Sequence, residues 1–518
     1  MAVLDRGLDL DVVRDGGSRS GVISRLRRHP APVVGLLVAL VSYAGAGVPS
    51  YWGDEAASVL SAQRSWDSLL AELSTVDAVH GVYYAVLHVW IQLFGAGEWA
   101  TRLLSTIGIG LLAAAVVVLG RRWFDVRTGV LAGLIVAVIP RASVLAIEAR
   151  GYAVAAAAAA WLTVLVVALI DGQASRGMWA VYGIAVAAAG TFFLYLLLMP
   201  AVHLAVILTM VPATRRGRTL RRWGGAMTIA AVLALPILVL SQQQKGQIAF
   251  LAHRGYMSPK GWFVSPWFGH LPAAIVLWPV LLVGVAALAI EWRRRRWPGA
   301  APATLVWLIL PGVLLAVVDA LLSPAYNPRY LSFCLGAVAL VLAIGCIAVV
   351  DAARRVDLRR GGAIAIVVLV LLGMASVVPE FLRARGEFAK DGGADGRAVA
   401  AEVETRAEPG DTVLFGTGTR PSRAPRLVYR LYPEAFGELN DPQLRRSAAD
   451  TDGLWDVLAP VSEVASALPD GRVWLIETGS TGTAEEDLAA LEEHGFVHVA
   501  RTVVHRTVVY EFQRGSGS

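Results

Sequence analysis

Long apolar stretches recur from Ala31 to Val378 and then stop. Each approaches the ~20 residues that an α-helix needs to cross a bilayer. They cover Ala31–Val48, Trp99–Leu119, Gly129–Ile147, Tyr152–Ile170, Met178–Phe193, Leu196–Val211, Gly225–Leu240, Leu271–Ile290, Leu305–Leu322, Tyr330–Val350 and Ala363–Val378. The pattern predicts a polytopic α-helical membrane protein with about 11 transmembrane helices. Between the first two stretches, Ser58–Phe94 shows helical periodicity broken by Ser, Asp and Gly. This predicts an external loop with two short interfacial helices, the second over Gly81–Phe94.

Past Phe388 the spacing changes to alternating helix and strand signals. A helix is expected near Asp395–Arg406, strands at Thr412–Phe415 and Val473–Glu477, a helix at Ala484–His494, and two strands within Phe496–Phe512. Together they predict a small C-terminal α/β domain of the parallel-sheet kind. The expected organisation is a polar N-terminal segment (1–30), a membrane region (31–387) with external loops at 49–98 and 241–270, and the α/β domain (388–514). The final Gly-Ser-Gly-Ser (515–518) reads as an engineered linker tail.

Composition supports the membrane reading. The chain is 56% hydrophobic and 17% charged, with a mean hydropathy of +0.58, whereas a soluble protein carries about 25% charged residues. Arginine clusters then set the orientation. Arg19, Arg25, Arg27 and Arg28, Arg121, Arg122 and Arg127, Arg215 to Arg222, Arg293 to Arg296, and Arg354 to Arg360 all fall on one face if the spans alternate. That face is expected to be cytoplasmic, with the C-terminal domain outside the plasma membrane. The net charge of +6 lies in loop clusters rather than on an aromatic-laced stripe, so nucleic acid is not an expected partner. Cys334 and Cys346 share one apolar stretch, which makes neither a disulfide framework nor a thiolate metal site. Gly416-Thr-Gly418 is too short for a dinucleotide fingerprint and reads as a turn.

Candidate chemistry gathers in the polar segments expected outside. Asp54 and Glu55 follow the first apolar stretch directly. A carboxylate there suits a general base, and equally suits the first turn of a helix. In Asp77-x-x-His80-x-x-Tyr83-Tyr84 the imidazole and phenols share a helical face, fit either for phosphate and sugar hydroxyls or for an interfacial aromatic belt. Glu148-Ala-Arg150-Gly-Tyr152 places a guanidinium at the outer end of a span, where it can grip a phosphate through two parallel hydrogen bonds. Lys245 and Arg254, in the second long loop, are further candidate anion ligands. Arg329 and Tyr330, in Tyr-Asn-Pro-Arg-Tyr, open a span from the outside, where the positive-inside rule does not account for an arginine.

Taken in order, these residues resemble the GT-C superfamily of membrane glycosyltransferases that use polyprenyl-phosphate sugars. The resemblance rests on Asp54-Glu55, on the run from His80 to Ser105 that includes F-G-x-x-E-W-A-x-R-L-x-S, on E-A-R-G-Y-A (Glu148 to Ala153), and on N-P-R-Y-L (Asn327 to Leu331). It covers roughly Ser42 to Leu335 and is nearest to the protein O-mannosyltransferase and aminoarabinose transferase branch, in its actinobacterial envelope mannosyltransferase form. Val82 departs from the proline that many relatives carry after the loop histidine.

The resemblance implies that Asp54 is the catalytic acid–base residue and that Glu55 shapes the acceptor pocket. It also implies Arg150 and Arg329 as donor-phosphate contacts. No cofactor is then required; Asp54, Glu55 and Asp77 could hold a divalent metal, but this branch generally does not need one. The expected partners are a lipid-linked sugar donor, an envelope glycan or glycolipid acceptor, and membrane lipids. Mannose is the first expectation for the sugar, with an arabinofuranosyltransferase as the alternative. A flippase of lipid-linked sugars is the alternative of another class, and such proteins show internal repeats and mid-span polar residues; neither is evident here.

Overall fold

A computed structural model describes residues 29–172, 174–322, 324–357, 360–479 and 483–515. The expected cytoplasmic N-terminal segment and most of the terminal Gly-Ser tail lie outside these residues. The chain divides into two compact units. One comprises residues 1–44, 105–146 and 151–379, and the other residues 45–104, 147–150 and 380–518.

The first unit is helical. By length and composition, seven helices among the described residues can cross a membrane: Glu98–Trp123, Tyr152–Asp171, Ala213–Gln243, Leu271–Arg293, Ala300–Leu321, Pro328–Val356 and Gly361–Arg383. The helix Val126–Val138 and the short helix Pro140–Ala146 make an eighth candidate, bent by 65°. Pro140 explains the break, because proline removes a backbone donor and disfavours helix in the residue before it. The remaining expected stretches form shorter helices, Pro30–Tyr43, Arg176–Phe192 and Met199–Met210, so fewer helices than eleven reach spanning length among the described residues. Hydropathy alone did not see that Phe193 is extended and that Leu194–Leu198 is 3-10, which shortens two of them.

The helices pack through small residues, as expected where lipid supplies no hydrophobic contrast. A Cβ on Gly345 would lie 2.0 Å from the Val280 carbonyl oxygen, and one on Gly284 would lie 2.1 Å from the Val341 carbonyl oxygen. These glycines let Leu271–Arg293 and Leu335–Val356 touch backbone to backbone. Internal prolines at 236, 279, 311 and 379 are carried within long helices, which membrane helices tolerate.

The second unit contains helices Gly53–Ala62, Trp66–Thr75 and Gly81–Phe94, then a sheet domain. The first of these helices carries Asp54 and Glu55 in its first turn, one of the two placements the sequence allowed, and the third has the expected limits. Ser65 caps Trp66–Thr75 by accepting from the Ser68 amide. The strands are β1 (Thr412–Phe415), β2 (Leu444–Arg446), β3 (Val457–Leu458), β4 (Arg472–Thr478), β5 (Phe496–Val503) and β6 (Thr507–Arg514). β2 and β3 pair alone, while the main sheet has the order β1-β4-β6-β5.

β1 and β4 are parallel, but β6 is antiparallel to both β4 and β5. The all-parallel expectation is therefore corrected to a mixed sheet. The helix Thr483–Glu493 does deliver β5 in the sense of β4, and the final tight turn then inserts β6 between them. Both faces are covered. Trp474 and Ile476 pack with Val399, Val403 and Phe436, whereas Val473 and Leu475 pack with Val461, Leu491 and Phe512. A strand covered on both sides is apolar throughout, as Val473 to Ile476 is.

Candidate active site

Helix Gly53–Ala62 begins abruptly after an extended Trp52, with Asp54 and Glu55 in its first turn. There the helix dipole favours carboxylates. Adjacent helical side chains diverge by about 100°, so the two acids face different surroundings.

Glu55 is fully buried. The Arg102 Nε and Nη2 each donate to one of its carboxylate oxygens at 2.8 Å, and the Ala149 amide donates at 2.8 Å. Lys390 Nζ lies 3.7 Å away and donates to the Ile147 carbonyl at 2.5 Å. Arg102 also donates to the carbonyls of Ala46 (2.6 Å), Pro49 (2.8 Å) and Ser50 (3.3 Å). Burial alone raises the Glu55 carboxyl, but Arg102, Lys390 and the Ala149 amide bring it below its ordinary value. Glu55 is thus the hub that ties segments 46–50, 147–149 and Lys390 to the Asp54 helix. An acceptor-pocket role at its surface does not fit a carboxylate turned wholly inward.

Asp54, in contrast, is only partly buried. Arg150, nearly buried, reaches it from segment 147–150. Its Nη1 donates to the Asp54 carbonyl at 3.1 Å and to Ser58 Oγ at 3.0 Å, while Nη2 stands 2.9 Å from His80 Nε2. A guanidinium has no lone pair to offer, so His80 Nε2 must accept and the ring proton belongs on Nδ1. The neighbouring loop turns at Asp77, whose φ of 55° is left-handed and unusual for a residue other than glycine. The Tyr84 hydroxyl donates to Asp77 Oδ2 at 2.7 Å. His80 and Tyr84 rings lie 6.0 Å apart, and Tyr83 is buried beside them. Six of the expected residues, Asp54, Asp77, His80, Tyr83, Tyr84 and Arg150, therefore assemble in one unit. Glu148 sits next to them, with its carbonyl accepting from the Arg150 amide at 2.8 Å.

Burial, with Arg150 beside it, lowers the His80 imidazole to about 4, against the smaller opposing pull of Asp77 and Asp54. An ordinary imidazole titrates near ~6.5. Below that pH the unfolded chain takes a proton that the folded one refuses, so stability is lost as pH falls from about 6.5 toward 4 and is fully present above 6.5. Two measurements check this. The His80 ring should show no NMR titration between about pH 5.5 and 8, and a His80→Asn protein should lose part of the acid slope of its melting temperature.

The same unit holds a cavity of about 330 Å3, lined in part by Leu60 of the Asp54 helix, Arg64, Arg430 and Trp455. Among the described residues, no group of three or more His, Cys, Asp or Glu side chains is placed to hold a metal ion.

The other candidates belong to the helical unit. Tyr152, Phe193, Tyr195 and Tyr330 form an aromatic cluster, with Tyr195 stacked on Tyr330 at 4.6 Å and Tyr152 6.3 Å from Tyr330. Arg329 adjoins them on the 3-10 turn Pro328–Cys334, its amide capped by Asn327 Oδ1 at 3.1 Å. Lys245 and Arg254 are exposed on and just after the 3-10 segment Lys245–His253. Asp319, near the end of its helix, accepts from the Ala325 and Tyr326 amides at 2.7 and 2.6 Å and shapes the approach to that turn.

No role was expected for three contributors: Arg102, quoted only as part of the F-G-x-x-E-W-A-x-R-L-x-S run, Lys390 and Ser58. Arg102 left a usable signal, since a guanidinium in the opening turns of a long apolar helix requires a buried partner. Lys390 is one of only three lysines, but nothing local marks it.

No family model matches the chain, and no curated protein sequence does. Solved structures do. ArnT from Cupriavidus metallidurans bound to undecaprenyl phosphate is similar with a TM-score of 0.59 and 16% identity, covering 95% of this chain and 98% of that one. The same protein in its apo state gives 0.55 and 15%, over 92% and 97%. In its fold, the chain is a polytopic helical membrane protein with a C-terminal mixed α/β domain, similar to ArnT from Cupriavidus metallidurans across nearly its whole length.

Proposed function

We propose that the protein is an inverting glycosyltransferase that moves a sugar from a polyprenyl-monophosphate carrier to a cell-envelope glycan or glycolipid. The observation that carries this reading is the partly exposed Asp54 carboxylate on a helix start braced by Arg150, Ser58 and the Glu55–Arg102 hub. The fold shared with a protein bound to undecaprenyl phosphate supports a lipid-phosphate donor. Asp54 takes the proton from the acceptor hydroxyl as its oxygen attacks the anomeric carbon. The bond from that carbon to the phosphate oxygen breaks, and polyprenyl phosphate leaves with the electron pair. Attack from the face opposite the leaving group inverts the anomeric centre.

Arg150 and Arg329 are the proposed donor-phosphate contacts, with Tyr330, Lys245 and Arg254 as further candidates. Cations stabilise the phosphate as it gains charge in the transition state. Asp77, His80, Tyr83, Tyr84, Glu148 and Tyr152 are proposed to shape the donor and acceptor pocket. The 330 Å3 cavity, with the indole of Trp455 and the paired guanidinium of Arg64, offers room for acceptor sugar. Mannose is the proposed donor sugar and arabinofuranose the alternative. The active site and C-terminal domain are proposed to lie outside the plasma membrane.

The test is incubation of the purified protein with polyprenyl-phosphate-mannose, or its arabinofuranose counterpart, and an envelope glycan fraction. Release of polyprenyl phosphate with matching gain of sugar on the acceptor is expected. Movement of intact lipid-linked sugar across vesicles without such release would replace this reading with the flippase one.

A further inference from the structure

Helices Arg176–Phe192 and Ala213–Gln243 pack closely where Gly183 meets Ala226; a Cβ on Gly183 would lie 2.4 Å from the Ala226 carbonyl oxygen. Toward the start of the first helix, the two part around a cavity of about 600 Å3. Its walls follow helical spacing. Arg218, Arg221, Arg222, Gly225, Ala226 and Ile229 form a stripe on one helix, and Arg176, Trp179 and Ala180 do so on the other. Each wall begins with guanidinium groups and continues into small or apolar residues.

Four arginines and no carboxylate line this space. Arg222 Nη1 donates to the Ala174 carbonyl at 2.6 Å. Among the described residues, no ion pair joins Arg176, Arg218 or Arg221 to an acid. The positive-inside rule explains why arginines collect at this end of the helices, but not why they converge on a cavity from two of them. Like charges so gathered repel unless an anion lies between them.

We propose that this cavity binds the phosphate headgroup of an anionic phospholipid. A lipid fits better than free phosphate because the arginine rim passes directly into Ala226 and Ile229. The flanking side chains on the two helices, Val181, Ile184, Val232 and Leu233, are also exposed and apolar, as befits an acyl environment. Its volume falls within the ~300–1,000 Å3 typical of small-ligand sites. None of its residues belongs to the proposed transfer chemistry, so the site stands or falls separately from that function.

The test uses the full chain in neutral detergent, with cardiolipin, phosphatidylglycerol or phosphatidylcholine added, and native mass spectrometry to count retained lipid. Cardiolipin and phosphatidylglycerol should stay bound and raise the melting temperature, while phosphatidylcholine should not. In Arg218→Gln/Arg221→Gln protein, retention should fall by roughly an order of magnitude. In Arg293→Gln/Arg294→Gln protein, whose arginines lie outside the cavity, it should persist. Equal loss in both variants would mean diffuse surface charge and would overturn the site, as would equal retention of phosphatidylcholine. Displacement by millimolar inorganic phosphate would overturn the lipid assignment. Melting of each variant without lipid confirms that it is folded.

Discussion

Asp54→Asn is expected to reduce sugar transfer by roughly 10^2- to 10^4-fold, the usual contribution of a positioned general base. The substitution keeps the side chain's shape. It also leaves in place the hydrogen bond from Arg150 Nη1 to the Asp54 carbonyl. Melting temperature and donor binding should therefore stay close to those of the parent. The loss should fall on turnover, because a base acts only as the acceptor proton is moving. Transfer at near-parental rate by a folded Asp54→Asn protein would remove Asp54 from the chemistry and with it the proposed mechanism.

Glu55→Gln and Arg102→Met should each do something different: unfold rather than merely inactivate. Removing one partner of a buried ion pair leaves the other charge stranded and costs about 3–5 kcal/mol. Here the stranded Arg102 would still hold three backbone carbonyls, whereas the stranded Glu55 would keep the Ala149 amide and Lys390. Arg102→Met is thus expected to be at least as damaging as Glu55→Gln. The double variant Glu55→Leu/Arg102→Met should stay destabilised, since it leaves Lys390 buried without its carboxylate and the carbonyls of Ala46, Pro49 and Ser50 and the Ala149 amide without their partners. Thermal or denaturant unfolding in detergent measures the cycle. Two singly substituted proteins as stable as the parent would show that the pair does not hold the Asp54 helix.

Much of this could be read from the residues in order. Apolar runs located the long helices because a membrane helix is hydrophobic along its whole length and needs no partner to reveal it. Helix Gly81–Phe94 and strands β1, β4, β5 and β6 fell near their expected limits for similarly local reasons. The loop motif was legible as well: the three- and four-residue steps from His80 to Tyr83 and Tyr84 place those rings together.

The adjacency of Asp54 and Glu55 misled, however. Equal in sequence, the two acids were expected to serve one pocket, yet one is partly exposed and the other has no exposed surface. Residues 94 and 47 positions away, Ala149 and Arg102, decide that difference, and no local pattern announces contacts of such separation. The sheet tells the same story. A strand–helix–strand order predicts parallel strands, but only strand pairing shows that β6 inserts between β4 and β5.

By itself, then, the order of residues determined which segments are helices, where acids and guanidiniums enter the chain, and which side chains share a helical face. These follow from hydropathy and local geometry, which act over a few residues. Tertiary structure alone decided which carboxylate is partly exposed and which is locked inward, that Arg150 joins Asp54, Ser58 and His80, and that arginines from two helices surround one cavity. Those outcomes depend on burial and on charges brought together from distant positions, because desolvation and pairing are properties of the packed molecule rather than of any stretch of it.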